Sequence, residues 1–167
     1  HAFFSQRAVS NLPELKGITP RPLKNIALIG GGTMGAGIAT SALLSGLNVT
    51  VLEMSKHATQ AAFDRIENNL SGAKKRGKID SQQYENIINH SLNLVTDYGK
   101  LSDMDLVIEA VFEEMAVKKR VFEELDRICK PGAILASNTS YLDINEIAAS
   151  TSRPADVLGL HFFSPSH

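Results

Sequence analysis

Residues 26–39 read IALIGGGTMGAGIA, in which a short apolar run meets closely spaced glycines and then a series of small residues. The apolar run is typical of a strand that is buried on both faces of a parallel sheet. Each glycine costs backbone entropy on folding, so a chain that places several at a strand-to-helix turn needs them there. The pattern indicates that another molecule approaches the backbone closely at this turn.

Gly30, Gly32 and Gly35 fit the pattern G-x-G-x-x-G, which here follows a predicted strand and opens a predicted helix. That context is typical of a dinucleotide-binding turn. The first glycine permits a tight turn, the second lets a pyrophosphate reach the backbone, and the third lets the helix pack closely on the strand. Thr33 and Met34 begin the helix, whose free N–H groups and positive dipole end favour phosphate.

Glu53 ends the second predicted strand, where a dinucleotide-binding fold places an acid that accepts hydrogen bonds from the adenosine ribose. A carboxylate would repel a 2′-phosphate, and the local sequence EMSK at 53–56 offers no arginine to bind one. The sequence therefore predicts NAD rather than NADP. The alternative is a tight strand-to-helix turn with an unrelated surface acid.

Strands and helices alternate along the rest of the chain. The pattern predicts strands near 25–30, 48–54, 92–96, 105–111, 131–138 and 156–163, and helices near 33–46, 115–129 and 142–151. Residues 56–90 are polar and helix-favouring, and they predict two helices that meet near 74–81. This alternation predicts an α/β fold with a doubly wound, mainly parallel sheet and a helical excursion after the second strand.

The composition narrows the classes of function. The 167 residues are 43% hydrophobic and carry a formal net charge of −1, which suits one globular domain and gives no electrostatic case for nucleic-acid binding. No apolar run approaches the ~20 residues that a membrane span requires. The only cysteine, Cys129, excludes an internal disulfide and a zinc cluster, and it predicts a buried, inert thiol outside the secretory pathway.

The two ends of the chain predict a piece of a longer protein. Residues 1–24 contain three prolines and lack a regular pattern, so we expect a linker that arrives from a preceding domain. Residues 25–167 form the expected folded domain, which stops directly after an apolar run.

Four stretches carry a resemblance to a known family. IALIGGGTMGAGIA, DLVIEAVFEEMAVKK, ILASNTS and GLHFFSP occur in this order in L-3-hydroxyacyl-CoA dehydrogenases. Residues 25–167 resemble the NAD-binding domain of these enzymes, and residues 1–24 resemble the linker in multifunctional enzymes that join a hydratase part to the dehydrogenase part. The motifs are most similar to the peroxisomal type, with mitochondrial and bacterial cytoplasmic relatives as the alternatives. The resemblance implies that a (3S)-hydroxyacyl-CoA is oxidised to a ketone with NAD in fatty-acid β-oxidation.

The resemblance assigns catalysis to His161 and Ser140. His161 lies at the end of a predicted strand, and it matches the family histidine that takes the hydroxyl proton. Ser140 matches the family serine that binds the substrate oxygen. The alternatives are a satisfied core histidine and a helix N-cap serine, with Thr139 or Asp143 able to cap the helix instead.

Further residues match cofactor contacts of the family. Glu113 and Lys118 match residues near the nicotinamide and its ribose, although the pattern of the sequence alone would describe both as solvated charges on a helix. Asn138 is a candidate positioning residue in the loop before Ser140. Ser164 stands where many relatives have asparagine near the nicotinamide, and this departure is compatible with the peroxisomal type.

A basic group follows the first helix of the excursion, at Lys74, Lys75 and Arg76. Such a run is usually a solvated face, and the resemblance adds a second interpretation as a contact for the phosphates of coenzyme A.

The chain ends before the glutamate with which the family pairs its histidine and before the helical domain that usually supplies dimer contacts. We therefore expect the chain alone to bind NAD but to turn over poorly. Two other functions stay open at this point: a β-hydroxyacid dehydrogenase that acts on small acids, and a non-catalytic NAD-binding module.

Overall fold

The computed structural model describes residues 13–163, apart from the side chain of Glu14. The strands are β1 (Asn25–Ile29), β2 (Asn48–Leu52), β3 (Leu92–Val95), β4 (Leu106–Glu109), β5 (Ile134–Ser137) and β6 (Val157–Gly159). All neighbouring strands pair in parallel, in the order β3-β2-β1-β4-β5-β6. The predicted α/β fold with a doubly wound parallel sheet is confirmed.

The helices connect these strands as the sequence predicts. They are α1 (Thr33–Leu44), α2 (Lys56–Lys75), α3 (Ser81–Asn86), α4 (Met115–Ile128) and α5 (Ile144–Ala148). Short turns of 3-10 helix occur at Pro13–Leu15, Tyr98–Leu101 and Pro154–Asp156, and a π-helical turn follows α3 at Ile87–Ser91. The caps have local causes, because the side chains of Ser55, Asp80 and Asp143 each accept a hydrogen bond from a first-turn backbone N–H.

The sheet separates two apolar clusters. Alternate residues of β1 point to opposite faces, so Ile26 and Leu28 pack with α1 and α2, whereas Ala27 and Ile29 pack with α4. Cys129 is 7% exposed, and burial is the main cause that raises the pKa of its thiol to about 11. The prediction of a buried thiol is therefore confirmed.

The position of the site follows from the strand order. The connections leave β1 in both directions across the sheet, and Ile29 at its end lies beside Leu52 of β2 and Glu109 of β4. In doubly wound sheets, ligands bind outside the carboxyl ends of the strands at such a reversal point. Among residues 13–163, no helix is both long and apolar enough to cross a membrane.

The last strand is shorter than the sequence predicts. A strand through 163 is wrong, because β6 ends at Gly159 and His161 lies two residues beyond it. A tertiary contact replaces the strand there, because the N–H of Phe162 donates to the side-chain oxygen of Asn138 at 2.9 Å instead of to a strand partner. The first half of the predicted linker, residues 1–12, lies outside the described residues.

Candidate functional site

The three glycines of the G-x-G-x-x-G pattern have the backbone conformation, the close packing and the open space that a bound dinucleotide requires. Gly30 has a φ of +93°, and a Cβ there would lie 3.0 Å from the carbonyl oxygen of Ala110. A Cβ on Gly35 would lie 1.8 Å from the carbonyl oxygen of Gly30, so the helix can approach the turn only without one. A Cβ on Gly32 would meet nothing within 4 Å. Packing therefore explains Gly30 and Gly35, whereas the space beside Gly32 is open to a ligand.

Gly31, which the glycine pattern does not count, is also sterically required. A Cβ there would lie 2.3 Å from the Cβ of Ala62 in α2. Its N–H donates to Oε1 of Glu53 at 2.6 Å, so the acid at the end of β2 holds the turn in place. Oε2 of Glu53 accepts the N–H of Met54 at 3.3 Å, and the carboxylate keeps capacity for a further partner such as a hydroxyl.

A cavity of about 830 Å³ lies between this turn and α4. Five of the predicted cofactor residues line it: Gly30, Gly32, Thr33, Met34 and Glu53. The open space beside Gly32, the start of α1 and the acid at the cavity wall together fit a dinucleotide. An arginine also lines the cavity, although none lies near Glu53 in sequence: Arg120 reaches it from α4.

His161 and Ser140 come together although they are 21 residues apart in sequence. Nε2 of His161 and Oγ of Ser140 lie 3.3 Å apart beyond the carboxyl ends of β5 and β6. Ser140 does not cap α5, because Asp143 does so, and Oγ1 of Thr139 accepts the N–H of Leu142 at 3.0 Å. The hydroxyl of Ser140 is therefore not used as a cap.

A buried charge cluster lies next to this pair. Lys118 is 1% exposed, and its Nζ contacts Oε1 of Glu109 at 2.6 Å and Oε2 of Glu113 at 3.1 Å. The pattern-based description of Glu113 and Lys118 as solvated charges on a helix is wrong. Lys118 faces the sheet from α4, and Glu113 lies in the loop before that helix, which begins at Met115.

Glu113 connects the cluster to the serine loop. Its Oε1 accepts hydrogen bonds from Oγ1 of Thr139 at 2.7 Å and from the N–H of Ser140 at 2.6 Å. Burial raises the pKa of Glu113, but these two hydrogen bonds and the ammonium of Lys118 outweigh it and hold the pKa below its usual value. Glu113 is thus an anion that fixes the backbone of Ser140.

One group of predicted residues lies away from the cavity. Lys74 and Lys75 form the last turn of α2 and Arg76 caps it, whereas Arg65, more than two turns earlier, contacts the glycine turn at Gly31. The basic group therefore lies at the opposite end of the helix from the cavity. Ser164 lies outside the described residues.

Sequence reasoning missed Glu109 and Ser137. Glu109 is completely buried at the end of β4, and Oγ of Ser137 donates to its Oε2 at 2.7 Å. The signal was available, since an acid inside the otherwise apolar run LVIEAV at 106–111 has to find buried partners.

The family model for the NAD-binding domain of 3-hydroxyacyl-CoA dehydrogenase matches residues 25–167. The chain belongs to this family. It is an NAD-binding domain of the kind found in 3-hydroxyacyl-CoA dehydrogenases, and the prediction of NAD as cofactor is confirmed.

Members of the family from distant organisms are similar to the chain. It is 40% identical to a peroxisomal fatty acid beta-oxidation multifunctional protein of Arabidopsis thaliana and 42% identical to a peroxisomal bifunctional enzyme of Danio rerio, over 100% of this chain in each case. The chain spans 23% of the length of both relatives.

Solved structures of the family have the same fold. The 3-hydroxybutyryl-CoA dehydrogenase of Escherichia coli has a TM-score of 0.82 at 41% identity, covering 87% of this chain and 30% of that one. The dehydrogenase part of multifunctional enzyme 1 from C. elegans has a TM-score of 0.75 at 35% identity, covering 86% of this chain and 33% of that one.

Proposed function

We propose that residues 25–167 are the NAD-binding domain of a longer enzyme that oxidises (3S)-3-hydroxyacyl-CoA to 3-oxoacyl-CoA in fatty-acid β-oxidation. The observation that carries this proposal is the 3.3 Å approach of His161 Nε2 to Ser140 Oγ at the edge of the sheet that also bears the glycine turn. A histidine beside a hydroxyl donor suits the removal of a proton from an alcohol.

The cofactor would lie along the glycine turn. A bound NAD would supply the acceptor for the hydride that leaves the substrate carbon. Gly32, Thr33 and Met34 would bind the pyrophosphate through backbone N–H groups, and Glu53 would accept a hydrogen bond from the ribose. Gly30 and Gly35 would act by permitting the turn. Glu113, Lys118, Asn138 and Ser164 are proposed to lie near the nicotinamide end.

His161 would act as the general base. Because Nε2 and Oγ are 3.3 Å apart, one substrate oxygen can contact both atoms. Nε2 takes the proton of the hydroxyl, and the hydroxyl of Ser140 donates a hydrogen bond to the same oxygen as it becomes a carbonyl.

The proposed substrate is a thioester of coenzyme A. We propose that Lys74, Lys75 and Arg76 contact the phosphates of the coenzyme A part. We also propose a peroxisomal location, which is supported by the names of the Arabidopsis and Danio relatives. A tagged full-length protein should co-localise with a peroxisomal marker, whereas a mitochondrial or cytoplasmic distribution would contradict this location.

The test is NADH formation by the full-length enzyme with (3S)-3-hydroxybutyryl-CoA. His161→Gln should lower kcat by about 10²–10⁴-fold, the usual contribution of a general base, with the Kd for NAD retained. His90→Gln is the matched control, since His90 is exposed and lies in the π-helical turn directly before β3, at the amino ends of the strands, whereas His161 lies beyond their carboxyl ends.

The outcomes separate the alternatives. Oxidation of a free 3-hydroxy acid but not of its CoA ester would indicate a small-acid dehydrogenase. NAD binding without oxidation of either would indicate a binding module. Full activity of His161→Gln would show that the histidine is not the base.

A further inference from the structure

Glu109 is the most completely enclosed acid in the described part of the chain. It is 0% exposed, and its carboxylate accepts from three donors: the N–H of Val111 at 2.7 Å, Nζ of Lys118 at 2.6 Å and Oγ of Ser137 at 2.7 Å. A buried carboxylate is costly unless it is paired and hydrogen-bonded. A fold that keeps one at this place therefore gains something specific from it.

The contacts of Glu109 run in two directions to the same loop. Directly, Oε2 holds Ser137 at the end of β5, where the loop begins. Indirectly, Oε1 holds the ammonium of Lys118, which in turn contacts Glu113 at 3.1 Å. Glu113 then accepts the N–H of Ser140 at 2.6 Å. Glu109 thus fixes both ends of the loop 137–140.

That loop places both polar groups of the Ser140–His161 pair. Oγ of Ser140 lies 3.3 Å from Nε2 of His161, and the side-chain oxygen of Asn138 accepts the N–H of Phe162, the residue after His161. The loop therefore sets the backbone of the histidine as well as that of the serine. Glu109 does not line the cavity, so a direct contact with the cofactor does not explain it.

We propose that Glu109 is a positioning residue that sets the Ser140–His161 geometry through Lys118, Glu113 and Ser137. This inference rests on the proposed function, because it concerns the pair to which we assign the chemistry. Glu109→Gln keeps the size of the side chain but removes the charge that holds Lys118. Misplacement of reacting groups by a fraction of an ångström to 1 Å typically costs about 10- to 100-fold in rate.

The test measures kcat and the Kd for NAD in the full-length enzyme, and the imidazole NMR signals of His161 in the 167-residue chain. For Glu109→Gln we expect kcat to fall about 10- to 100-fold, with a much smaller change in the Kd for NAD. The His161 signals, assigned with His161→Gln, should move. Ser137→Ala removes only the direct hydrogen bond between Ser137 and Glu109, and it should move the His161 signals less.

Asp105→Asn is the matched control. Asp105 lies directly before the same strand, β4, and also accepts a hydrogen bond from a lysine, Lys130, at 2.6 Å, but it is at the opposite edge of the sheet. The Asp105→Asn variant should leave kcat and the His161 signals unchanged even if it lowers the free energy of unfolding.

Unmoved His161 signals in Glu109→Gln would overturn the proposal, as would an unchanged kcat or an equal loss of kcat in Asp105→Asn. If the wild-type enzyme oxidises no 3-hydroxyacyl-CoA, the proposed function fails, while the NMR comparison still decides whether Glu109 positions the pair.

Discussion

Each end of β4 carries a carboxylate that needs hydrogen-bond partners, but one carboxylate is partly exposed to water and the other is buried. Asp105 stands before the strand and Glu109 ends it, and each carboxylate accepts three hydrogen bonds, one of them from a lysine at 2.6 Å. At the amino end the side chains of Asp105 and Lys130 are 20% and 38% exposed. At the carboxyl end those of Glu109 and Lys118 are 0% and 1% exposed.

Water makes the difference between these two ion pairs. At the amino edge, water can replace a lost partner, and Asp105 serves to fasten the segment entering β1 through the N–H groups of Lys24 and Asn25. At the carboxyl edge no water compensates, so every partner of Glu109 must come from the protein. We call Glu109 with its buried partners the dry end and Asp105 with its partly exposed partners the wet end.

The largest expected effect is on stability at the dry end. Glu109→Ala leaves the ammonium of Lys118 buried with Glu113 alone, and it should lower the free energy of unfolding by about 3–5 kcal/mol. Asp105→Ala should lower it by only about 1 kcal/mol, because the pair is partly solvated. Urea unfolding of the 167-residue chain measures both. Equal losses would show that burial does not distinguish the two ends.

A second contrast concerns glycines. Gly35→Ala at the carboxyl edge drives a Cβ against the backbone of Gly30 and should cost about 3 kcal/mol in the free energy of unfolding. Gly46→Ala, at a φ of +85° with open space around it, should cost about 1 kcal/mol of conformational strain. The same urea experiment applies, and a milder effect at Gly35 than at Gly46 would refute the close helix approach.

A substitution at Gly32 distinguishes an effect on ligand binding from an effect on core packing. Gly32→Val should weaken NAD binding at least about tenfold, because the side chain fills the place of the pyrophosphate, and should leave the free energy of unfolding nearly unchanged. Gly132→Val, at a φ of +80°, is the converse control and should lose stability but not affinity. The fluorescence of the reduced nicotinamide in NADH, titrated with each variant, gives the Kd. Unchanged affinity in Gly32→Val would place the phosphates elsewhere.

The smallest expected effect is the pH dependence of the wet end. The N–H of Asn25, then Lys130 and the N–H of Lys24, hold the pKa of Asp105 at about 2 instead of 3.8. Folding favours the ionised form, so its stabilisation is complete above about pH 5 and is lost progressively as the pH falls through about 2. The difference in unfolding free energy between wild type and Asp105→Asn should shrink from about 1 kcal/mol at pH 6 to about a fifth of that at pH 2. A constant difference would contradict the lowered pKa.

The sequence by itself determined the alternation of strands and helices, the glycine turn and the acid at Glu53. These are local patterns, since a buried strand, a tight turn and a helix start are each specified by neighbouring residues. The resemblance added His161 and Ser140, and the two predicted residues do lie in contact.

Only the tertiary structure decided the roles of the charged residues. Lys118 and Glu113 follow a helical pattern of charges that is indistinguishable from a solvated face until β4 and β5 are placed beneath it. Glu109 shares no local pattern with Ser137, because their 2.7 Å contact joins residues that are 28 positions apart. Burial of a charge is a property of the packed sheet and helix together, so the physical reason that these residues matter exists only in the folded chain.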